Sequence, residues 1–347
     1  MTSLAGLSLP ELEKLLSPLP RFRASQIYKW IIRGVKSFEQ MTDIPNSLRE
    51  ELNSRFYIFS GSIVSCHDDT GTKKIAISLK DGLKIEAVLL QDSKNRYTAC
   101  LSTQAGCPAG CVFCKTGSLG FSRNLDNTEI TEQLLFLRTL IGTDDEKNKD
   151  EHIIDNIVIM GMGEPFLNLT ELRKSIAVIT DKEGLNYSKR RITVSTCGIC
   201  ESLLDFAVNG PFVRLALSLT TADEHLRQKL MPVTKANPLQ KVKEALVLFQ
   251  KNSGGRITLE IPLLGGINTR EKDAVFIADF AMGIDCVVNI ILWNPVEGLV
   301  FEGKPLIEPD KKEVNDFIKK LESLGLKATT RFRKGRGVMA ACGQLGA

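Results

Sequence analysis

Tyr97-Thr-Ala-Cys100-Leu-Ser-Thr-Gln-Ala-Gly106-Cys107-Pro-Ala-Gly110-Cys111-Val-Phe-Cys114 is the stretch on which the reading of this chain turns. Its first six residues, Tyr97 to Ser102, form a short run of strand character, and a loop made pliable by Gly106 and Gly110 follows. That loop carries three thiols in a CxxxCxxC spacing, close enough to converge on one centre. A structural zinc site needs four ligands, and His67, His152 and His225 are remote in sequence, so no nearby residue completes one. A four-iron cluster has four corners, which electron-transfer proteins usually fill with cysteine; three thiolates leave one iron open to bind something else. The spacing points to a cluster that does chemistry.

Downstream, five more short buried runs recur at Asn156 to Met160, Arg191 to Ser195, Val213 to Leu217, Arg256 to Ile261 and Cys286 to Leu292. Between them lie amphipathic segments such as Thr128 to Leu140 and Leu239 to Gln250, and a polar loop at Asp144 to Glu151. Strand and helix in alternation predict βα units on a parallel sheet. Six units close only part of a circle, so the expected fold is α/β, a partial, open six-unit (β/α) barrel. By analogy with the closed eightfold barrel, its chemistry belongs at the C-terminal ends of the strands. Upstream, Leu12, Leu15 and Leu16, then Ile27, Trp30 and Ile31, then Leu48 and Leu52 recur at helical spacing, broken by Pro18, Pro20 and Pro45. Ser62 to Cys66, Lys74 to Leu79 and Lys84 to Leu90 read as strands around Asp68-Asp-Thr-Gly71 and Asp81-Gly82, a pattern of antiparallel hairpins. The expected division is a helical accessory module over 1–60, a hairpin connector over 61–92, and the barrel with a C-terminal catalytic tail over 93–347.

The composition, 347 residues of which 43% are apolar, supports a large buried core. Apolar runs such as Asn156 to Met162 fall short of the roughly 20 residues that span a bilayer, and no signal-peptide pattern is present, so a soluble cytoplasmic protein with no membrane partner is expected. Nine cysteines, three of them crowded into the motif, suit ligands in a reducing compartment better than a disulfide framework. A net charge of +4 is mild, but its distribution is uneven. Arg21, Arg23, Lys29, Arg33 and Lys36 run without an acid until Glu39, and Lys327, Arg331, Arg333, Lys334 and Arg336 form a second acid-free stretch. Each suits phosphate, and each is also what a solvated face looks like.

The cysteine spacing, with an aromatic residue just before the last thiol, resembles the radical S-adenosylmethionine superfamily. The resemblance implies one [4Fe–4S] cluster on Cys107, Cys111 and Cys114, whose open iron chelates S-adenosylmethionine, and a deoxyadenosyl radical made from it. Gly161-Met-Gly163-Glu164-Pro165 fits the superfamily's methionine-binding segment; it lacks the third glycine of a dinucleotide fingerprint. The longer strings Cys100 to Cys107, Gly161 to Pro165, Trp293-Asn294-Pro295 and Ala340-Ala-Cys342-Gly-Gln-Leu345 are similar to one family. It comprises the bacterial adenosine carbon-2 methyltransferases of 23S ribosomal RNA and certain tRNAs, with a carbon-8 methylating resistance branch as near kin. Phe22 to Ile27 and Phe38 to Met41 look like that family's accessory module.

By this resemblance two S-adenosylmethionine molecules serve each turnover. Cys342 takes a methyl from one as S-methylcysteine, and the second supplies the radical that activates it. Glu86 matches the proton acceptor, and Cys100 the resolving thiol that ends in a transient Cys100–Cys342 disulfide. Gly163, Glu164, Ser195, Ser218, Leu219, Thr220 and Asn294 match the S-adenosylmethionine contacts. Apart from the resemblance, Ser195 and Ser218 are also ordinary helix caps, and Glu86 an ordinary edge-strand carboxylate. The implied partners are 23S ribosomal RNA and tRNA, presenting an unpaired base, and an electron donor such as a flavodoxin; a monomer is expected. The chain departs from the pattern at Thr220, where the family commonly has His, and at Arg336-Gly-Val-Met339, where it has an acidic-hydrophobic run. Carbon-8 methylation therefore stays open beside carbon 2. A radical enzyme acting on a non-RNA substrate would need neither Cys100 nor Cys342. Cys66, Cys197, Cys200 and Cys286 receive no role.

Overall fold

The computed structural model describes residues 2–141, 154–330 and 337–346. The polar loop read at Asp144–Glu151 and the cations Arg331, Arg333, Lys334 and Arg336 lie outside them.

Ten strands make one sheet whose spatial order follows the chain: β1 (Ser62–Asp69), β2 (Thr72–Ser78), β3 (Lys84–Gln91), β4 (Tyr97–Leu101), β5 (Asn156–Ile159), β6 (Ile192–Thr196), β7 (Arg214–Ser218), β8 (Ile257–Leu263), β9 (Cys286–Leu292) and β10 (Ala328–Thr330). β1 to β4 pair antiparallel, and every pairing from β4 to β10 is parallel. Parallel strands need a crossover, and helices supply it: α5 before β5, α6 before β6, α7 before β7, α8 and α9 before β8, α10 before β9 and α11 before β10. Their ranges are α5 (Asn127–Arg138), α6 (Leu169–Thr180), α7 (Cys200–Asn209), α8 (Glu224–Leu230), α9 (Leu239–Ser253), α10 (Glu271–Ala281) and α11 (Lys311–Ser323). The parallel strands are apolar because both faces are covered; Ile157 and Ile159 of β5 and Val288 and Ile290 of β9 are all buried.

The six expected strands are present, and β10 is a seventh parallel member that the count of six omitted. The sheet is open, with β1 at one edge and β10 at the other. The hairpin strands are continuous with it, since Val88 on β3 faces Cys100 on β4. Ahead of the sheet lie α1 (Leu9–Leu15), α2 (Arg21–Ile32) and α3 (Asn46–Arg55), and a short α4 (Lys115–Ser118) follows the cysteine loop. Thr2–Ser3 pairs in parallel with Phe56–Tyr57. This N-terminal part is stapled to α5 by one carboxylate: Glu132 accepts from Ser3 Oγ (2.6 Å), Ser60 N (2.6 Å), Ser60 Oγ (2.8 Å) and Gly61 N (3.0 Å). Among the described residues no helix is long and apolar enough to cross a membrane.

Candidate active site

The exit of β4 is tied to its neighbours before the cysteines begin. Gln133 of α5 accepts from Ser102 N (2.7 Å) and donates to Ser102 O (2.9 Å), while Ser102 Oγ donates to Glu86 O (2.6 Å) and accepts from Met162 N (2.8 Å). Gln104–Gly106 then pairs with Phe121–Asn124 and closes the loop at its root. Its tip is held from outside, by Val112 N donating to Leu230 O (3.0 Å) and the Trp293 indole donating to Phe113 O (2.9 Å).

On this frame Cys107, Cys111 and Cys114 line one cavity, with Gly163, Glu164, Ser195, Ser218, Thr220 and Cys342 around its wall; it holds about 980 Å³ of space, its open mouth included. Burial pushes the Cys107 thiol up to about 12 and the Cys111 thiol well above the usual range, so a metal centre entering here displaces their protons. Among the described residues no three His, Cys, Asp or Glu side chains close around a single ion. Three thiols on one cavity wall suit a polynuclear cluster.

Glu164 is buried, and its carboxylate is fixed by Thr196 Oγ1 (2.6 Å), Phe166 N (3.0 Å) and Cys197 N (2.8 Å). Desolvation raises its pKa, and those donors oppose the rise. A ligand ammonium would relieve the burial of this charge. Gly163 stands where the chain presses on the β4 exit, at φ +105° with a Cβ that would lie 2.7 Å from Gln104 Cβ; only glycine fits. Ser195 Oγ and Ser218 Oγ are 3.0 Å apart. Two buried oxygens that line cavities, Thr220 Oγ1 on the first and Asn294 Oδ1 on a second, have no hydrogen-bond partner among the described residues. Buried polar atoms are normally satisfied, so this pair marks walls built for a ligand. The donor set thus fits a thiolate-held cluster with an amino-acid-bearing ligand beside it.

The second cavity, about 1700 Å³ with its mouth, adjoins the first. Cys100, Arg96, Met160, Asn294, Leu345 and Cys342 are among its lining residues. Cys342 lines both cavities, and Cys100 only the second. Two residues implied as S-adenosylmethionine contacts lie elsewhere: Asn294 lines only the second cavity, and Leu219 is buried behind the wall with its carbonyl accepting from Arg227 Nε (3.0 Å). Glu86 lines neither cavity. Its carboxylate pairs with Lys74 Nζ (2.8 Å) and accepts from Gly346 N (2.8 Å).

Four residues without an assigned role belong to this site. Cys197 and Glu260 line the first cavity, Trp293 lines it and holds the cysteine loop, and Arg227 is a fully buried cation bonded to Leu219 O and Cys197 O behind the wall. Glu260 carries a visible signal, being the one charge in the apolar run Ile257–Leu263. Arg227 carries none, because nothing in an exposed-looking helix segment announces that its arginine turns inward.

Residues 101–277 match the radical SAM superfamily, and residues 2–58 match a ribosomal RNA large subunit methyltransferase N-terminal domain. A crystal structure of a radical SAM methyltransferase from Sphaerobacter thermophilus superposes with a TM-score of 0.91 at 34% identity, covering 99% of each chain. Fold, cavity and matched segments define the class: an enzyme of the radical S-adenosylmethionine superfamily, which uses a [4Fe–4S] cluster and S-adenosylmethionine. The probable dual-specificity RNA methyltransferase RlmN of Treponema denticola is 46% identical over 99% of this chain and 95% of its own length. The dual-specificity RNA methyltransferase RlmN of Nitratiruptor sp. is 37% identical, covering 99% and 98%. The chain belongs to the RlmN family of dual-specificity RNA methyltransferases.

Proposed function

We propose that this chain methylates carbon 2 of an adenosine in 23S ribosomal RNA and in tRNA, with Cys342 as the methyl carrier and Cys100 as the resolving thiol. One observation carries the reading: Cys342 is shared by the cavity of the three cysteines and the cavity of Cys100. Bound at the first cavity, the cluster and two successive S-adenosylmethionine molecules supply a methyl group and then a radical that abstracts hydrogen. Cys107, Cys111 and Cys114 would hold the cluster, with the methionine end of the cofactor bound beside it. Glu164 meets its ammonium, and Gly163, Ser195, Ser218 and Thr220 shape the wall around it.

Carbon 2 of adenine is electron-poor and has no acidic proton, so direct displacement from a sulfonium does not reach it. A thiol intermediary does. The Cys342 thiolate takes the methyl on the side of the first cavity: its new carbon–sulfur bond forms as the sulfonium's sulfur–methyl bond breaks, and S-adenosylhomocysteine leaves as a neutral thioether. The methyl carbon then loses a hydrogen atom and joins carbon 2 of a base in the second cavity. Once the adduct has given up the ring proton to a proton acceptor and one electron to the redox centre, Cys100 Sγ attacks Cys342 Sγ. The sulfur–carbon bond breaks, its electron pair goes to the carbon, which takes up a proton, and the two sulfurs are left as a disulfide. In this reading residues 1–60 form an RNA-binding module, 61–92 a connector and 93–347 the catalytic body. The enzyme works in the cytoplasm as a monomer and draws electrons from a donor such as a flavodoxin.

The deciding experiment is the mass of the tryptic peptide containing Cys342, from protein purified anaerobically with its cluster and given no RNA. One added methyl on that thiol is expected. An unmodified peptide after incubation with S-adenosylmethionine and reductant rejects Cys342 as carrier.

A further inference from the structure

The segment 337–346 has neither helix nor strand and lines both cavities at Cys342, and the part beyond Cys342 is pinned at four points. Lys115 N donates to Gly343 O (2.8 Å), Gln344 Nε2 to Pro295 O (3.2 Å), Thr116 Oγ1 to Leu345 O (2.6 Å), and Gly346 N to Glu86 Oε2 (2.8 Å). Three of these join neutral groups. The fourth ends on a carboxylate, and hydrogen bonds to ionised acceptors are about twice as strong.

Glu86 is built to hold that bond. It is 5% exposed, and its other oxygen accepts from Lys74 Nζ at 2.8 Å across the β2–β3 pair, in which Ala76 faces Glu86 and Lys74 faces Val88. Its backbone carbonyl accepts from Ser102 Oγ, which in turn accepts from Met162 N, so the residue is braced against the turn that leads into Gly163 and Glu164. Both carboxylate oxygens are engaged, and neither cavity is lined by this side chain. To take a proton from a base in the second cavity, Glu86 would first have to give up one of its two partners. Cys100 faces Val88, two residues along the same face of β3, so the anchor point lies beside the fixed thiol.

We propose that Glu86, clamped by Lys74, is a positioning residue that latches the segment carrying Cys342 onto the sheet, holding its thiol at the boundary between the two cavities. A carrier that must face a methyl donor and then Cys100 cannot wander, and an irregular segment stays in one place only if its ends are tied. The catalytic meaning of the latch rests on Cys342 as methyl carrier; the latch itself does not.

The test uses the full chain, reconstituted with its cluster in the absence of S-adenosylmethionine, in native form, as Glu86→Ala, and as Lys74→Met/Glu86→Gln. In the double variant an amide oxygen still accepts from Gly346 N, while carboxylate and counter-charge are both gone. Iodoacetamide alkylation of Cys342 is followed by mass spectrometry, with exposed Cys66 as internal standard and buried Cys197 as a check of fold; kcat and KM for RNA methylation are measured in parallel. Glu86→Ala is expected to alkylate at Cys342 about ten-fold faster relative to Cys66, the shift expected from losing a hydrogen bond to a charged group, with kcat falling more than KM rises. The double variant is expected to restore slow alkylation and recover most of the lost kcat.

Alkylation at the native rate in Glu86→Ala, with Cys197 protected, overturns the latch. Restored protection with turnover as low as in Glu86→Ala shows that the carboxylate itself is required and overturns the positioning role. Should Glu86→Ala expose Cys197, amide exchange on the native chain decides: a latched Gly346 N–H exchanges at least about ten-fold more slowly than an unstructured amide, and an unprotected one overturns the proposal. If the Cys342 peptide never carries a methyl, the carrier reading fails while the alkylation rates still report on the latch.

Discussion

Cys100 sits inside the sheet, facing Val88 on β3 and Val158 on β5, whereas Cys342 belongs to a segment with neither strand nor helix. A thiol locked between two strands suits a resolving nucleophile that waits, and one on an irregular segment suits a carrier. Cys100→Ser separates the two roles, because a hydroxyl is a far weaker nucleophile toward sulfur than a thiolate. Turnover should fall at least ~100-fold, with a covalent protein–RNA species accumulating on a denaturing gel. That species should vanish when Cys342 is also replaced by Ser, and its survival in the double variant counts against Cys342 as the attachment point. At this scale the meeting of Cys107, Cys111, Cys114 and Glu164 on one cavity was legible, because the chemistry they suggest calls for those residue types at those spacings. The placement of Leu219 and Asn294 was not: a strand-end position puts a residue near the cavities, but whether its side chain, its carbonyl or neither faces one depends on how the loop turns after the strand.

α5 shows what an element does beyond covering a sheet. Its face from Glu129 to Leu137 is buried throughout, and within it Glu132 receives the N-terminal part while Gln133 grips the β4 exit. Burial raises the Glu132 carboxyl from 4.5 to about 7, with the hydrogen bonds from Ser3, Ser60 and Gly61 pulling the other way. A folded value above the unfolded one means that the fold binds the proton more tightly. This contribution to stability is complete below about pH 4.5 and is lost as pH rises through about 7. Glu132→Gln removes the titration, so the Tm difference between about pH 5.5 and about pH 8 should be smaller in the variant. The variant should also cost about 1–3 kcal/mol, because the amide keeps one oxygen and turns its NH2 toward either Ser60 N or Gly61 N. An unchanged pH slope would show that Glu132 does not titrate in this range. Elements with long apolar patterns were legible from the sequence, and β10 was not. Ala328-Thr-Thr330 is short, mostly exposed and polar, and becomes a strand only because β9 offers it an unpaired edge.

Across the whole molecule, the N-terminal basic run read from the sequence lies on and just after α2. α2 buries Ala24, Ile27, Tyr28 and Ile31 and leaves Arg21, Lys29 and Arg33 exposed. Arg21 already pairs with Glu13 (2.8 Å), and Arg23 donates to Gln26 (2.8 Å), so part of their charge is spent within the module. Charge reversal of both, Arg21→Glu with Arg23→Glu, should weaken RNA binding roughly ten-fold and lower the slope of log K against log salt by about one to two, the yield of one or two lost phosphate contacts. Binding and slope both unchanged would remove this face from the RNA interface. Read along the chain alone, the βα rhythm, the cysteine motif and the family were legible. Each of these is a local pattern or a residue type that its chemistry cannot replace. That Cys342 is shared by two cavities, that Arg227 is buried behind the first, and that Glu86 meets Gly346 across 260 positions emerged from the folded arrangement alone. Cavity membership and long-range pairing depend on where strand ends and loops converge in space, and no periodicity along the chain records that.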